Sequence, residues 1–308
     1  MEMRYEPPRA YRETAETFIR NLVIAPNGTG DGINAPAPLS ALATILRPGD
    51  KVWGLPGVYN FTQMLYLSVI ANSKDRVIIQ PLVPGSMIID GSAVTPGTDY
   101  QIRITGDYIE LNGIEIRRMP TKGLLVEGNH NTFRNVWTHH NSGTGIHIMN
   151  PQDNNVKTGQ SYNLITDCVS DNNSDVNLPA QGENTDGLGI SIGDENTIIR
   201  CLVHTNSDDG IDVWQSNRTL ICSCFSHSNG YGPNGDGNGY KLGNPNARGN
   251  RIWNSIASSN RTRGFDGNGS PDVSLESCAA IKQVTPFKLI AGNSAIGCTT
   301  DGVPLTGY

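Results

Sequence analysis

A short pattern returns seven times in this chain: a glycine, once replaced by proline, followed by alternating apolar residues. It reads Gly123-Leu124-Leu125-Val126, Gly145-Ile146-His147-Ile148, Gly187-Leu188-Gly189-Ile190 and Gly210-Ile211-Asp212-Val213. It continues as Gly239-Tyr240-Lys241-Leu242, Gly264-Phe265-Asp266-Gly267 and Pro286-Phe287-Lys288-Leu289. The spacings are 22, 42, 23, 29, 25 and 22 residues, one of them close to double length. A period in the low twenties with one short strand per segment marks a stacked coil, here a parallel β-helix. Equal repeat positions then lie above one another, about 4.8 Å apart.

That register gathers charges. Asp186 and Asp209 precede their glycines, Asp212 and Lys241 follow theirs by two, and Asp208 adjoins Asp209. Residues 186 to 241 thus form an acidic pocket with a lysine at its edge. Alternation turns Ile211 and Val213 to the core and Asp212 outward, and the same logic exposes Lys241 and Asp266 as an outer column.

A second pattern precedes each glycine. Asn131 and Asn141, Asn163 and Asn173, Asn196 and Asn206, and Asn250 and Asn260 are pairs ten residues apart. The later member of each, with Asn229, is expected to stack at a corner and bond along the axis. Phe133, Ile165, Ile198, Ile221 and Ile252 point inward. Cys168, Cys201 and Cys224 share one repeat position and read as a ladder of small buried side chains. Zinc spacing is absent.

With 35 glycines, 17% charged residues and 6% aromatics, the composition is that of a turn-rich all-β protein. The whole chain, 1–308, reads as a single β-helix domain of roughly eight coils. Within it, 1–25 is a leader, 38–46 an N-terminal capping helix and 106–290 the most regular coils. Insertions at 150–162 with 174–185, and at 230–238, are expected to overhang the pocket face. No stretch reaches a membrane span. A net charge of −6 argues against nucleic acid as a partner. Residues 1–20 hold no apolar core of a signal segment, so the chain is read as starting after one.

Carboxylates packed so closely repel unless a cation neutralises them, and Ca²⁺ with its oxygen ligands suits such an assembly. The plain alternative is a solvated acidic surface with Asp-Gly turns. Beside a metal, Lys241 becomes a candidate general base, provided its pKa is lowered. Arg261 and Arg263 in the next coil are placed to lower it and to hold substrate carboxylates, or else simply to pair with Asp266 or Asp236. Asn238, Asp266 and His147 are further candidate substrate contacts, and Trp214 and Tyr231 are candidates for stacking on sugar rings.

Four segments carry a family resemblance: Asn184-Thr185-Asp186-Gly187, Asn206-Ser207-Asp208-Asp209-Gly210-Ile211-Asp212-Val213-Trp214, Gly237-Asn238-Gly239-Tyr240-Lys241-Leu242-Gly243 and Asn260-Arg261-Thr262-Arg263-Gly264-Phe265-Asp266. Together with Ala25-Pro26-Asn27-Gly28-Thr29-Gly30 and Arg47-Pro48-Gly49-Asp50, they resemble the family-nine polysaccharide lyases. The resemblance implies a right-handed parallel β-helix and a secreted pectate lyase, and a monomer is expected. It also implies β-elimination on polygalacturonate, with Asp186, Asp208, Asp209 and Asp212 on Ca²⁺ and Lys241 as base. The chain is shorter than many members, which leaves substrate preference open. Three other readings stand beside it: a polygalacturonase-like hydrolase with paired carboxylates, a lyase on alginate or another polyuronate, and a non-catalytic carbohydrate-binding β-helix. The hydrolase motifs Gly-His-Gly and Arg-Ile-Lys do not occur.

Overall fold

A computed structural model describes residues 20–149 and 160–306. Most of the expected leader, 1–19, lies outside the described residues, as do 150–159. Arg20–Ile24, at the end of that leader segment, is the first strand of the stack.

Three parallel sheets run the length of the molecule, with 11, 9 and 11 strands. We call them I, II and III in the order the chain visits them within a coil, so sheet III is the nine-stranded one. Each coil contributes one short strand to each sheet, as in Thr132–Arg134, Trp137–His139 and Ile146–Ile148. The nine strands of sheet III mean nine complete coils, with partial coils at both ends. This exceeds the eight expected from the repeat because the coils before residue 106 lack the glycine signature. Their strands, such as Val77–Pro81 and Met87–Asp90, stack in the same way on apolar residues alone.

The chain turns from sheet I to sheet II in two residues. The first of them repeatedly adopts a left-handed conformation, at Asn135, Asp167, Arg200, Ser223, Asn254 and Ser277, with φ between 46° and 57°. The second enters the core, and there Cys168, Cys201 and Cys224 form the expected buried ladder, with Cys278 and Cys298 buried at the same position of later coils. All six cysteines are free thiols.

Inside the coil, sheet I contributes large apolar groups, Phe133, Ile165, Ile198, Ile221 and Ile252, all buried. Sheet II contributes smaller ones facing sheet III: Thr138, Ser170, Val203, Ser226 and Ala257. This explains the repeat glycine. A Cβ at Gly187 would lie 2.0 Å from Val203 Cγ1, and one at Gly210 would lie 2.0 Å from Ser226 Oγ. Neither φ is in the left-handed region, so close approach, and not backbone freedom, requires glycine at these two positions.

The corner asparagines behave as expected. The side-chain oxygens of Asn173, Asn206, Asn229 and Asn260 accept from the amide of the preceding rung at 2.8 to 2.9 Å. The earlier asparagines form a ladder too: the backbone N–H of Asn131 donates to Asn163, and that of Asn163 to Asn196, each at 2.9 Å. Such bonds satisfy buried backbone groups at a corner where the sheet cannot.

A 3₁₀ turn, Leu39–Ala41, runs into a one-turn helix, Leu42–Ile45. The helix takes the place of a sheet III strand in the first coil and lies against Leu65–Leu67, the first strand of that sheet. Leu42 is buried in the core there, and Ile45 and Leu46 pack against it, closing the end of the stack.

Candidate active site on the outer face of sheet III

The register of sheet III matches the sequence repeat. Ile146 pairs with Leu188, Leu188 with Ile211, Ile211 with Tyr240 and Tyr240 with Phe265. The outer column therefore runs His147, Gly189, Asp212, Lys241, Asp266, Lys288.

Asp186, Asp209 and Asp212 converge, each offering an oxygen within 4.8 Å of the others. Asp208, Asp209 and Asp236 form a second such group that shares Asp209. The backbone N–H of Asp209 donates to Asp186 Oδ1 at 3.3 Å. Asn238 donates twice to Asp209 Oδ1, from its backbone at 2.7 Å and from its amide at 2.9 Å. The backbone N–H of Asp236 donates to Asp208 Oδ1 at 2.5 Å. Asp209 Oδ2 and Asp212 Oδ1 are buried and make no hydrogen bond.

The electrostatics follow from burial and crowding. Burial, then the neighbouring aspartates, holds Asp186 well above the usual carboxylate range. Asp208 is pushed up to about 9 by burial and then by Asp209. Asp209 rises to about 7 and Asp212 to about 6, burial being offset in part by Lys241. Lys241 Nζ lies 2.9 Å from Asp236, 3.3 Å from Asp212 and 3.4 Å from Asp209.

Two expectations are corrected here. The outer column faces away from the core but is not open: Lys241 and Asp266 are only 9% and 2% exposed. The loop 230–238 covers it, bringing Asp236 onto Lys241, while the Trp214 ring lies 5.3 Å from Lys241 Nζ. Nor is the lysine pKa lowered by arginines. Burial disfavours the charge, but the carboxylates of Asp212, Asp209 and Asp236 outweigh it and hold the ammonium protonated above the ordinary lysine range.

The expected substrate contacts are placed as follows. Arg261 donates to the carbonyls of Gly230 and Gly232 and so props the covering loop. Arg263 pairs with Asp266 at 3.2 Å and donates to Asn238 at 3.3 Å. Asn238 is fully buried behind Asp209, so it positions that carboxylate and cannot itself meet a substrate. Asp266 is buried between Arg263 and Lys288. His147 leans across Gly189, with Nε2 2.6 Å from Ser191 Oγ. Burial, then the charge of Lys122, pushes its pKa down to about 3. Trp214 and Tyr231 keep 41% and 49% exposure, enough to offer a ring face.

Residues 174–185 and 230–238 both connect sheet II to sheet III and meet at Gly182 and Gly232. Of the segment 150–162, which in sequence joins Ile146–Ile148 of sheet III to Leu164–Thr166 of sheet I, residues 150–159 lie outside the described residues. The sequence repeat does not point to Asp236 as a site residue. It sits in a glycine-rich insertion outside the repeat register, where position carries no spatial information.

Residues 22–295 match the family model described as Pel9A-like, right-handed β-helix region. Pectate lyase L of Dickeya dadantii (strain 3937) is 32% identical over 270 residues, covering 80% of this chain and 61% of that protein. Pectate lyase L of Paenibacillus polymyxa (strain SC2) is 30% identical over 273 residues, covering 82% and 60%. The chain thus spans about three-fifths of the length of these curated relatives. Among solved structures, pectate lyase Pel9A superposes with a TM-score of 0.71 at 26% identity, covering 95% of this chain and 80% of that one. An alginate lyase from Paenibacillus sp. str. FPU-7 shares the fold, with a TM-score of 0.71 at 14% identity, covering 92% of this chain and 96% of that one.

Proposed function

The chain belongs to the Pel9A-like right-handed β-helix family, and on that footing we propose that it is a calcium-dependent pectate lyase. The observation that carries this reading is the convergence of Asp186, Asp209, Asp212 and Lys241 on one covered patch, with two buried carboxylate oxygens left without hydrogen bonds. A hydrolase needs a carboxyl pair and water, and gives the lysine no role.

The donor set fits Ca²⁺. Oxygen-only ligands, crowded carboxylates, and Asp209 Oδ2 and Asp212 Oδ1 without hydrogen bonds are what a hard cation of flexible coordination takes. Asp186, Asp208, Asp209 and Asp212 would hold it, and Asp236 adjoins the same group. When bound, the ion supplies positive charge for a uronate carboxylate and for the negative charge that grows beside it.

The other steps belong to side chains. Lys241 takes the proton from carbon 5 of the uronate. The electron pair of that C–H bond forms the double bond between carbons 4 and 5. The bond from carbon 4 to the glycosidic oxygen breaks, and that oxygen leaves and takes a proton from solvent water. Lys241 must first be neutral. Its proton is held by Asp212, Asp209 and Asp236, so neutralising those carboxylates lowers its pKa toward a working value. An alkaline optimum follows, because a lysine base is favoured as pH rises. Arg263, partly exposed beside Asp266, is placed to take a second carboxylate.

Polygalacturonate is the proposed substrate, and the extracellular space the proposed location. No helix among the described residues is long and apolar enough to cross a membrane. The test is ultraviolet absorbance of the unsaturated product on polygalacturonate, with calcium and with excess chelator. A calcium-dependent rise supports the reading. New reducing ends without that rise would replace it with hydrolysis.

A further inference from the structure

Lys122 precedes Gly123, the position that Thr144, Asp186 and Asp209 hold in the three coils that follow. It therefore belongs to the same wall as the carboxylate pocket, two strand spacings, or about 10 Å, from Asp186. The side chain is partly buried. Its ammonium makes no hydrogen bond or close ion pair with any described residue. Asp99 and Asp186 act on it only through space, and burial outweighs them. Other cations on this face of sheet III are treated differently: Arg103, in the adjacent coil, is held by both oxygens of Glu127 at 2.7 and 2.8 Å, and Lys288, far along the column, pairs with Asp266 at 3.4 Å. A desolvated ammonium without a partner is costly, and the cost falls when a bound anion supplies one.

The surroundings fit an extended ligand. On the outer column between Leu125 and Asp212 stand His147 and Gly189. Gly189 has no side chain, and a Cβ there would come within 3.1 Å of His147 Cδ2. The imidazole fills this space, and its Nδ1 has no hydrogen-bond partner. The charge of Lys122 disfavours protonation of that ring, which leaves a neutral floor between one cation and the carboxylate pocket.

We propose that Lys122 forms a distal subsite that binds a uronate carboxylate of the polymer, on a sugar remote from the one whose proton Lys241 removes. This rests on the polyuronate lyase reading. It sets the polymer along the helix axis, from the carboxylate pocket toward the N-terminal coils, with His147 beneath it.

The test uses calorimetric binding of uronate oligomers, with calcium present, to a Lys241→Ala protein that binds without turnover. Adding Lys122→Gln is expected to weaken Kd about tenfold at low salt, the scale of one charge-assisted hydrogen bond. The difference should shrink in high salt, as a charge contact requires. Lys122→Arg, which keeps the charge, should retain most of the affinity and guards against a variant that fails to fold. Calcium affinity, titrated separately, should be unaltered by Lys122→Gln. An unchanged oligomer Kd overturns the subsite, as does a loss that tracks an equal change in calcium affinity. Turnover by the unmutated protein separates the two readings. Cleavage together with an unmoved Kd removes only the subsite, whereas neither cleavage nor oligomer binding removes both.

Discussion

On each strand of sheet III, two neighbouring columns meet opposite demands. The inner column runs Leu124, Ile146, Leu188, Ile211, Tyr240, Phe265 and Phe287, apolar at every rung. Its last three rings stack at 4.8 and 5.1 Å with planes 2° and 9° apart. The outer column, one residue on, runs Leu125, His147, Gly189, Asp212, Lys241, Asp266 and Lys288, with no common chemistry. The inner column is constrained by exclusion of water, which asks only for apolar groups of suitable size. The outer one carries no packing demand from the coil, so it can hold charge, and two loops then bury that charge again. Stability thus resides in the inner column, and the strained electrostatics in the outer.

The sharpest way to separate the columns is to remove one member of each. Lys241→Ala should lower turnover by about a thousandfold, within the range for a general base, while the protein still folds and still binds calcium. Near-normal turnover would remove Lys241 from its role. Phe265→Ala, one coil on and facing inward, should cost roughly 3–5 kcal/mol in denaturant unfolding, because the stacked rings cannot collapse into the gap. A cost near zero would mean that the inner column does not carry the fold.

Smaller effects sharpen the contrast. Asp209→Asn keeps an acceptor for Asn238 but removes a crowded charge. It should raise the melting temperature in chelator at pH 8 and abolish the further rise given by calcium. Asn238→Ala leaves every proposed ligand in place but frees Asp209, so calcium affinity should fall roughly 10- to 100-fold, the scale for a residue that orients a ligand.

The pH dependence closes the series. Asp212, Asp209 and Asp208 have folded pKa values raised to about 6, 7 and 9, above those of the unfolded chain. Their contribution to stability is full below about pH 4. It is lost as pH rises through those raised values, because over that window the native state still holds protons that the unfolded chain has already released. In chelator the melting temperature should therefore decline between pH 5 and 9. Calcium, which competes with those protons, should stabilise more at pH 8 than at pH 5. Equal stabilisation at both would mean that the ion binds elsewhere.

Much of this was legible in the residues alone. A parallel stack repeats its register at every coil, so counting from the glycine placed Asp186, Asp209, Asp212 and Lys241 together, and counting from Asn163 and Asn196 placed the amide ladder. Even the glycine has its cause in the repeat, since Val203 and Ser226 crowd the same spot in successive coils. The coils before residue 106 escaped the count because apolar strands such as Val77–Pro81 stack without that glycine. What only the tertiary structure decided lies off the register: Asp236 on Lys241, Arg261 on the carbonyls of the covering loop, the burial that raises the aspartate pKa values, and the carboxylates that keep the lysine protonated against that burial. Periodicity fixes which strand positions coincide, because hydrogen bonding between rungs enforces it. An insertion has no rung to match, so its path, and the charge state of whatever it covers, depends on packing across the whole face.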